Sequence, residues 1–160
     1  MVNDGEKTMI VGVELDLSKF DDAFAFSELF AEIDVQKYDW YIPEGQCEAW
    51  SSDFRSAFFT HDVYNGKELL TMFRRPCFCI FLKLQAYPHK TRYTDLRTYH
   101  EYICSDCRHI VLVSDCDHIE VYSKSIDCLE KIHAHFADEK QMTVEYITDS
   151  TDHRTSFDIL

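Results

Sequence analysis

The sequence predicts an α+β fold of two layers, with a largely antiparallel or mixed sheet of about five to six strands packed against about four helices. Three observations carry that expectation. Segments that alternate every second residue fall next to one another across tight turns, as antiparallel strands do. Between them lie segments with apolar residues at three- and four-residue spacing, as in amphipathic helices. The 160 residues include 46% hydrophobic and 14% aromatic side chains but only 4 Gly and 3 Pro, enough for one core and too few breakers for a linker. One domain over residues 1–160 is expected, with its core at about 9–148 and loose ends at 1–8 and 149–160.

Residues 9–17 read as a half-buried strand, with Met9, Val11, Val13, Leu15 and Leu17 on one face and Gly12, Glu14 and Asp16 on the other. Ser18 with Asp21 resembles a capping box, although Asp replaces the usual Glu. The helix it would open runs to about Ile33 along a stripe of Phe20, Phe24, Leu29, Phe30 and Ile33. Residues 38–42 form a short aromatic strand stopped by Pro43 and Gly45, and 47–50 a second short strand. The stretch 51–63 is ambiguous, with one helical turn conceivable at 54–59. Asn65 and Glu68 cap a helix carrying Leu69, Leu70 and Phe73, and Pro76 ends it.

Residues 77–86 are apolar on both faces and read as a central strand. A polar loop over 87–93 leads to a helix over about 94–103. Strands at 108–114 and 118–123 flank Asp115, Cys116 and Asp117, which suit a tight connection. Ser125 caps a helix to about Asp138 with Ile126, Leu129, Ile132 and Phe136 inward. Residues 142–148 make the last strand.

Charge narrows the function. There are 29 acids against 16 Lys and Arg, a net charge of −13. Nucleic acid and anionic membrane both require a positive footprint, so neither is an expected partner. The excess is uneven, for residues 1–53 hold 13 acids and only the bases Lys7, Lys19 and Lys37. The seven cysteines are odd in number, and neither an export signal nor a spanning segment is legible. A cytoplasmic setting with reduced thiols is expected.

Chemical motifs mostly fail on geometry. Cys104, Cys107, His109, Cys116 and His118 are five potential zinc ligands, yet the strand between the outer pairs spans roughly 20 Å at about 3.3 Å per residue. No metal and no cofactor is expected, because zinc ligands must converge on one point. Cys104 and Cys107 sit at the C-terminal end of a helix, where the dipole opposes a thiolate, so a redox role is disfavoured. His133 and His135 lie about 200° apart around a helix and cannot chelate together. Glu14 and Asp16 share a strand face, as acid–base pairs can, but exposed strand carboxylates commonly do no chemistry. Walker, Rossmann, nucleophile-elbow and metalloprotease patterns are absent.

One segment opposes the acidic background. Residues 83–100 hold Lys83, Lys90, Arg92 and Arg97 against Asp95, with Tyr87, Tyr93 and Tyr99 interleaved. A loop after a central strand and before a helix is a natural anion site.

Over most of its length the chain resembles an uncharacterised family of small proteins, chiefly from Bacillus-type and related Firmicutes, known as domain of unknown function 2691. VQKYDWYI at 35–42, LKLQAYP at 82–88, SDCRHIVLVSDCDHIEVY at 105–122 and VEYITDSTDHRTSF at 144–157 carry the resemblance. It implies a bacterial, cytoplasmic setting and agrees with a single α+β domain, and it implies no activity.

The function expected is that of an acidic cytosolic module that binds a protein, in particular a basic one. Inhibitors, immunity proteins and anti-defence proteins work in this way, by steric and electrostatic means, so the reading inclines away from an enzyme. The partner-binding residues are Asp39, Tyr41, Glu44, Glu48 and Trp50, where aromatics lie among carboxylates, while Trp40 is expected to face inward. The alternative is a small-ligand binder, or an enzyme acting on an anionic or phosphorylated compound, through Lys90, Arg92, Tyr93 and Arg97. A deep pocket there would favour the alternative, and a flat acidic face the module.

Overall fold

In the computed structural model, residues 8–152 and 154–159 are described, and they form an open antiparallel sheet of eight strands with four α-helices. The fold is therefore α+β, with more strands than the five to six expected. The expected loose end at residues 1–8 lies outside the described residues except for Thr8.

The strands are β1 (Ile10–Asp16), β2 (Tyr38–Tyr41), β3 (Cys47–Ser51), β4 (Val63–Asn65), β5 (Cys77–Pro88), β6 (His109–Ser114), β7 (His118–Ser123) and β8 (Thr143–Thr148). Their order across the sheet is β4-β2-β5-β6-β7-β1-β8, with β3 also paired to β5. β5 is the spine, for β3 pairs with its first half and β2 with its second, both on the edge opposite β6. β4 escapes the sequence pattern because it is three residues long and begins inside the ambiguous stretch. Its Tyr64 stands opposite Trp40 in the register.

One face of the sheet carries the helices α1 (Phe26–Ala31), α2 (Gly66–Phe73) and α4 (Ile126–Phe136). Val13, Leu15, Trp40, Leu82, Leu84, Val111, Val113, Ile119 and Val121 point to it, as period-two alternation dictates. Phe73 of α2 stacks on Phe26 at 5.1 Å and Phe30 at 5.0 Å. Trp40 is fully buried, as expected, and its indole N–H donates to the Val35 carbonyl at 3.1 Å. α2 starts so close to that carbonyl that only glycine fits at Gly66.

Two helices are shorter than the periodicity predicts, and each for a local reason. The Asp16 carboxylate accepts the Ser18 N–H at 2.9 Å, an Asx-type turn that replaces the expected cap. The chain then stays irregular over 18–25 and α1 begins only at Phe26. Helix α3 covers Tyr99–Ile103, with a full capping box between Thr98 and Glu101. Residues 94–96 stay out of the helix because the buried Gln85 amide takes their backbone groups. Its Nε2 donates to the Thr94 carbonyl at 2.7 Å, and its Oε1 accepts the Leu96 N–H at 2.9 Å.

The second face is covered too, which a two-layer expectation did not foresee. Residues 88–107 cross it as a strap, and the C-terminal residues 154–159 cross it alongside. Phe157 is only 2% exposed, with its ring 5.0 Å from Tyr122 and 6.1 Å from Tyr102. The end expected to be loose is thus docked. Its polar composition hid one buried aromatic and a set of ion pairs to the sheet.

Candidate functional site

The surface that gathers acids around exposed aromatics lies at the β3 side of the sheet. β3 and the first half of β5 pair Trp50 with Phe78 and Glu48 with Phe81. Phe78 is 41% exposed and Phe54 57%, and their rings meet at 4.8 Å. Phe54 reaches this position at φ 60, a left-handed backbone that a bulky side chain seldom adopts. Trp50 is half-buried beside them, while Glu44 and Glu48 are exposed.

A groove of about 480 Å³ runs from Phe78 to Phe20 and Phe24, rimmed by Asp21, Asp22, Asp115 and Asp117. Burial raises the Cys116 thiol between these acids, with Asp117, Asp115 and Glu48 adding to the rise. Glu48 therefore belongs electrostatically to the same rim. Lys19 and Arg55 are the bases in the segments that carry it. A contiguous patch of large apolar side chains ringed by charge marks an interaction surface more often than a solvated face does.

Of the five partner-binding residues read from sequence, Glu48 and Trp50 lie here, and Glu44 lines an adjoining groove with them. Asp39 and Tyr41 do not. They lie under the strap, where Asp39 accepts the Tyr93 hydroxyl at 2.7 Å and lies 2.8 Å from His89 Nδ1. Tyr41 stacks on Tyr93 at 5.8 Å. These two residues hold the strap rather than face outward. The acids of 18–25 and of the β6–β7 turn were missed because they are remote in sequence. Exposed aromatics among them were the one available signal.

The basic segment resolves differently. Lys83 is fully buried and pairs with Asp95 at 2.7 Å and Asp158 at 3.3 Å. Arg97 lies near the same two carboxylates, at 3.7 and 3.9 Å. The Tyr93 hydroxyl is committed to Asp39, and that of Tyr87 donates to the Thr94 carbonyl at 2.7 Å. Lys90 and Arg92 are exposed, with Lys90 at φ 64 on the turn. Lys83 and Arg97 thus neutralise carboxylates of the protein itself.

The five potential zinc ligands scatter. Cys107 is buried under the strap, and Cys104 is exposed at the end of α3. Cys116 sits on the β6–β7 turn. His109 is buried on the helix face between Tyr38 and Trp40, its imidazole held down to about 4 by burial. His118 stands beside Glu14. Among the described residues, no group of three or more His, Cys, Asp or Glu is placed to hold a metal ion. His135 is exposed as expected, yet its Nδ1 lies 2.9 Å from Glu32. No helix of the described residues is long and apolar enough to cross a membrane.

Comparison with known proteins agrees with a family lacking an assigned activity. The family model described as "Protein of unknown function (DUF2691)" matches residues 10–158. The chain is 24% identical over 135 residues to the uncharacterised protein YncE of Bacillus subtilis (strain 168), covering 79% of this chain and 85% of that protein. No solved structure matches the chain.

Proposed function

The chain belongs to the DUF2691 family, and we propose that it is an acidic cytosolic module that binds a basic protein through the surface around Phe54 and Phe78. The carrying observation is the pair of touching, solvent-exposed phenylalanine rings inside a rim of carboxylates. The rings supply apolar area that gains by being covered, at roughly 25 cal/mol per Å². The rim supplies steering and register rather than bulk affinity. With Glu48, Asp21, Asp22, Asp115 and Asp117 around the rings, and Glu44 on the adjoining groove, the complementary partner carries Lys or Arg around an apolar anchor. Neutralising a basic enzyme by covering its substrate-binding face needs only such a surface, as in inhibitors, immunity proteins and anti-defence proteins.

The test is crosslinking in the native cell, followed by kinetics with the purified partner. Phe54→Ser with Phe78→Ser should weaken binding by about 2 kcal/mol or more, mainly through faster dissociation. Glu44→Gln with Glu48→Gln should slow association at low salt by a modest amount, since exposed pairs contribute only about 0.2–1 kcal/mol each. Crosslinks confined to Lys90, Arg92 and Arg97, with both variants silent, would show the surface to be wrong.

A further inference from the structure

A cavity opens along the exposed side of α2, between that helix and residues 57–61. Its volume is about 680 Å³, within the range of small-molecule sites. Glu68, Met72 and Arg75 line it from one side because three- and four-residue spacing puts them on one face, with Lys67 beside them. Phe58 and Tyr64, both buried, give it aromatic surface.

The wall opposite the helix is pinned. The Tyr64 hydroxyl accepts the Thr60 and His61 N–H groups, each at 2.8 Å. Those two bonds fill the oxygen's acceptor capacity and leave its own proton to be donated. Tyr64 is only 3% exposed, and among the described residues no acceptor takes that proton. A buried donor without an acceptor is costly, so the site favours a ligand that brings one.

The charge of the cavity is the reverse of the chain's. Lys67 and Arg75 line it against a single carboxylate, Glu68, whose Oε1 already accepts the Asn65 amide at 2.8 Å. Among the described residues neither Lys67 nor Arg75 has an ion-pair partner, although the chain carries 29 acids against 16 Lys and Arg. The Arg75 guanidinium carbon lies 5.6 Å from the centroid of the Phe58 ring. An arginine held over a ring keeps its fork of N–H donors open to a carboxylate.

We propose that this cavity binds a small organic acid, its carboxylate paired with Arg75 and its apolar body laid against Phe58 and Met72. Lys67 adds to the positive field, and the Tyr64 hydroxyl supplies a donor for an oxygen of the ligand. An uncharged apolar ligand leaves these donors covered and unpaired, which is costly. An inorganic anion leaves the apolar surface uncovered and forgoes the gain from burying it.

Titration of 4-phenylbutyrate into the nitrogen-15-labelled protein, followed by amide shifts, tests the site. The shifts should follow one saturable curve and centre on residues 58–61 and 67–75. The alcohol 4-phenylbutanol, which keeps the body and loses the charge, should bind at least about tenfold more weakly. Inorganic phosphate, which keeps the charge and loses the body, should give no saturable shift there. Arg75→Gln should weaken the acid by about tenfold or more and Lys67→Gln by severalfold. Lys140→Gln, an equal loss of charge at an exposed position beyond α4, should change it by less than about twofold. The same spectra show whether each variant is folded, and both cavity residues are exposed. Absence of saturable shifts at these residues, equal binding of the alcohol, saturable phosphate binding there, or equal loss in the cavity variants and Lys140→Gln would each overturn the proposal.

Discussion

Lys83 Nζ, fully buried on β5, lies 2.7 Å from Asp95 Oδ1 on the strap that crosses the strand. The same ammonium reaches Asp158 at 3.3 Å, so one buried charge ties the strap and the C-terminal segment to the sheet. Removing a partner of a buried charge costs more than the pair itself contributes. Asp95→Asn and Asp158→Asn should each destabilise by about 1–3 kcal/mol, because the other carboxylate remains. The double variant should cost more than the sum of the two, since a shared network is not additive. Urea unfolding measures this, and two silent single variants would show that the lysine finds water instead.

Asp39 provides a pH-dependent test of the strap. It accepts the Tyr93 hydroxyl and lies 2.8 Å from His89, whose other ring nitrogen is 3.1 Å from the Gln36 carbonyl. The hydrogen bond to Asp39, then that to Gln36, raises the His89 imidazole above its ordinary 6.5. A raised value in the fold means stability that is fully present below 6.5 and lost as pH rises through the raised value. Asp39→Asn should therefore lower Tm at about pH 6, and the gap should narrow at higher pH to the part due to Tyr93. That remainder is about 1.5–3 kcal/mol for a hydrogen bond to a carboxylate. Thermal melts at both pH values decide it, and a gap that widens with pH would refute the assignment.

Phe157 tests the docked C-terminus. Its ring is enclosed by Tyr102 and Tyr122, and deleting a buried phenyl costs about 3–5 kcal/mol. Phe157→Ala should fall near the lower end, since a chain end relaxes more freely than a core strand. Amide exchange should quicken over 96–102 along with the tail, because Phe157 N–H donates to the Arg97 carbonyl at 2.8 Å. Unchanged stability and exchange would mean that the segment contributes little to the fold.

The partition between sequence and structure follows from the range of each interaction. Alternation in β1, β6 and β7, the Asn65–Glu68 and Ser125 caps, and the inward Trp40 were legible because each depends on residues within a few positions of one another. The late start of α1 at Phe26 was not, since Asp16 takes the Ser18 N–H and defeats a pattern that Phe20 and Phe24 otherwise satisfy. The candidate surface was half legible. Glu44, Glu48 and Trp50 were read from their local mixture of charge and ring, but Asp39 and Tyr41 are taken up by contacts to the strap. Sequence by itself determined the acidity, the α+β class and most of the element boundaries, because composition and periodicity are local properties. Tertiary structure alone decided that Lys83 and Gln85 are buried, that Phe157 is core, and that Glu14 stands between Glu120 and Glu145. Those facts depend on strand register and on chain segments about 10 to 130 residues apart, which no window along the chain contains.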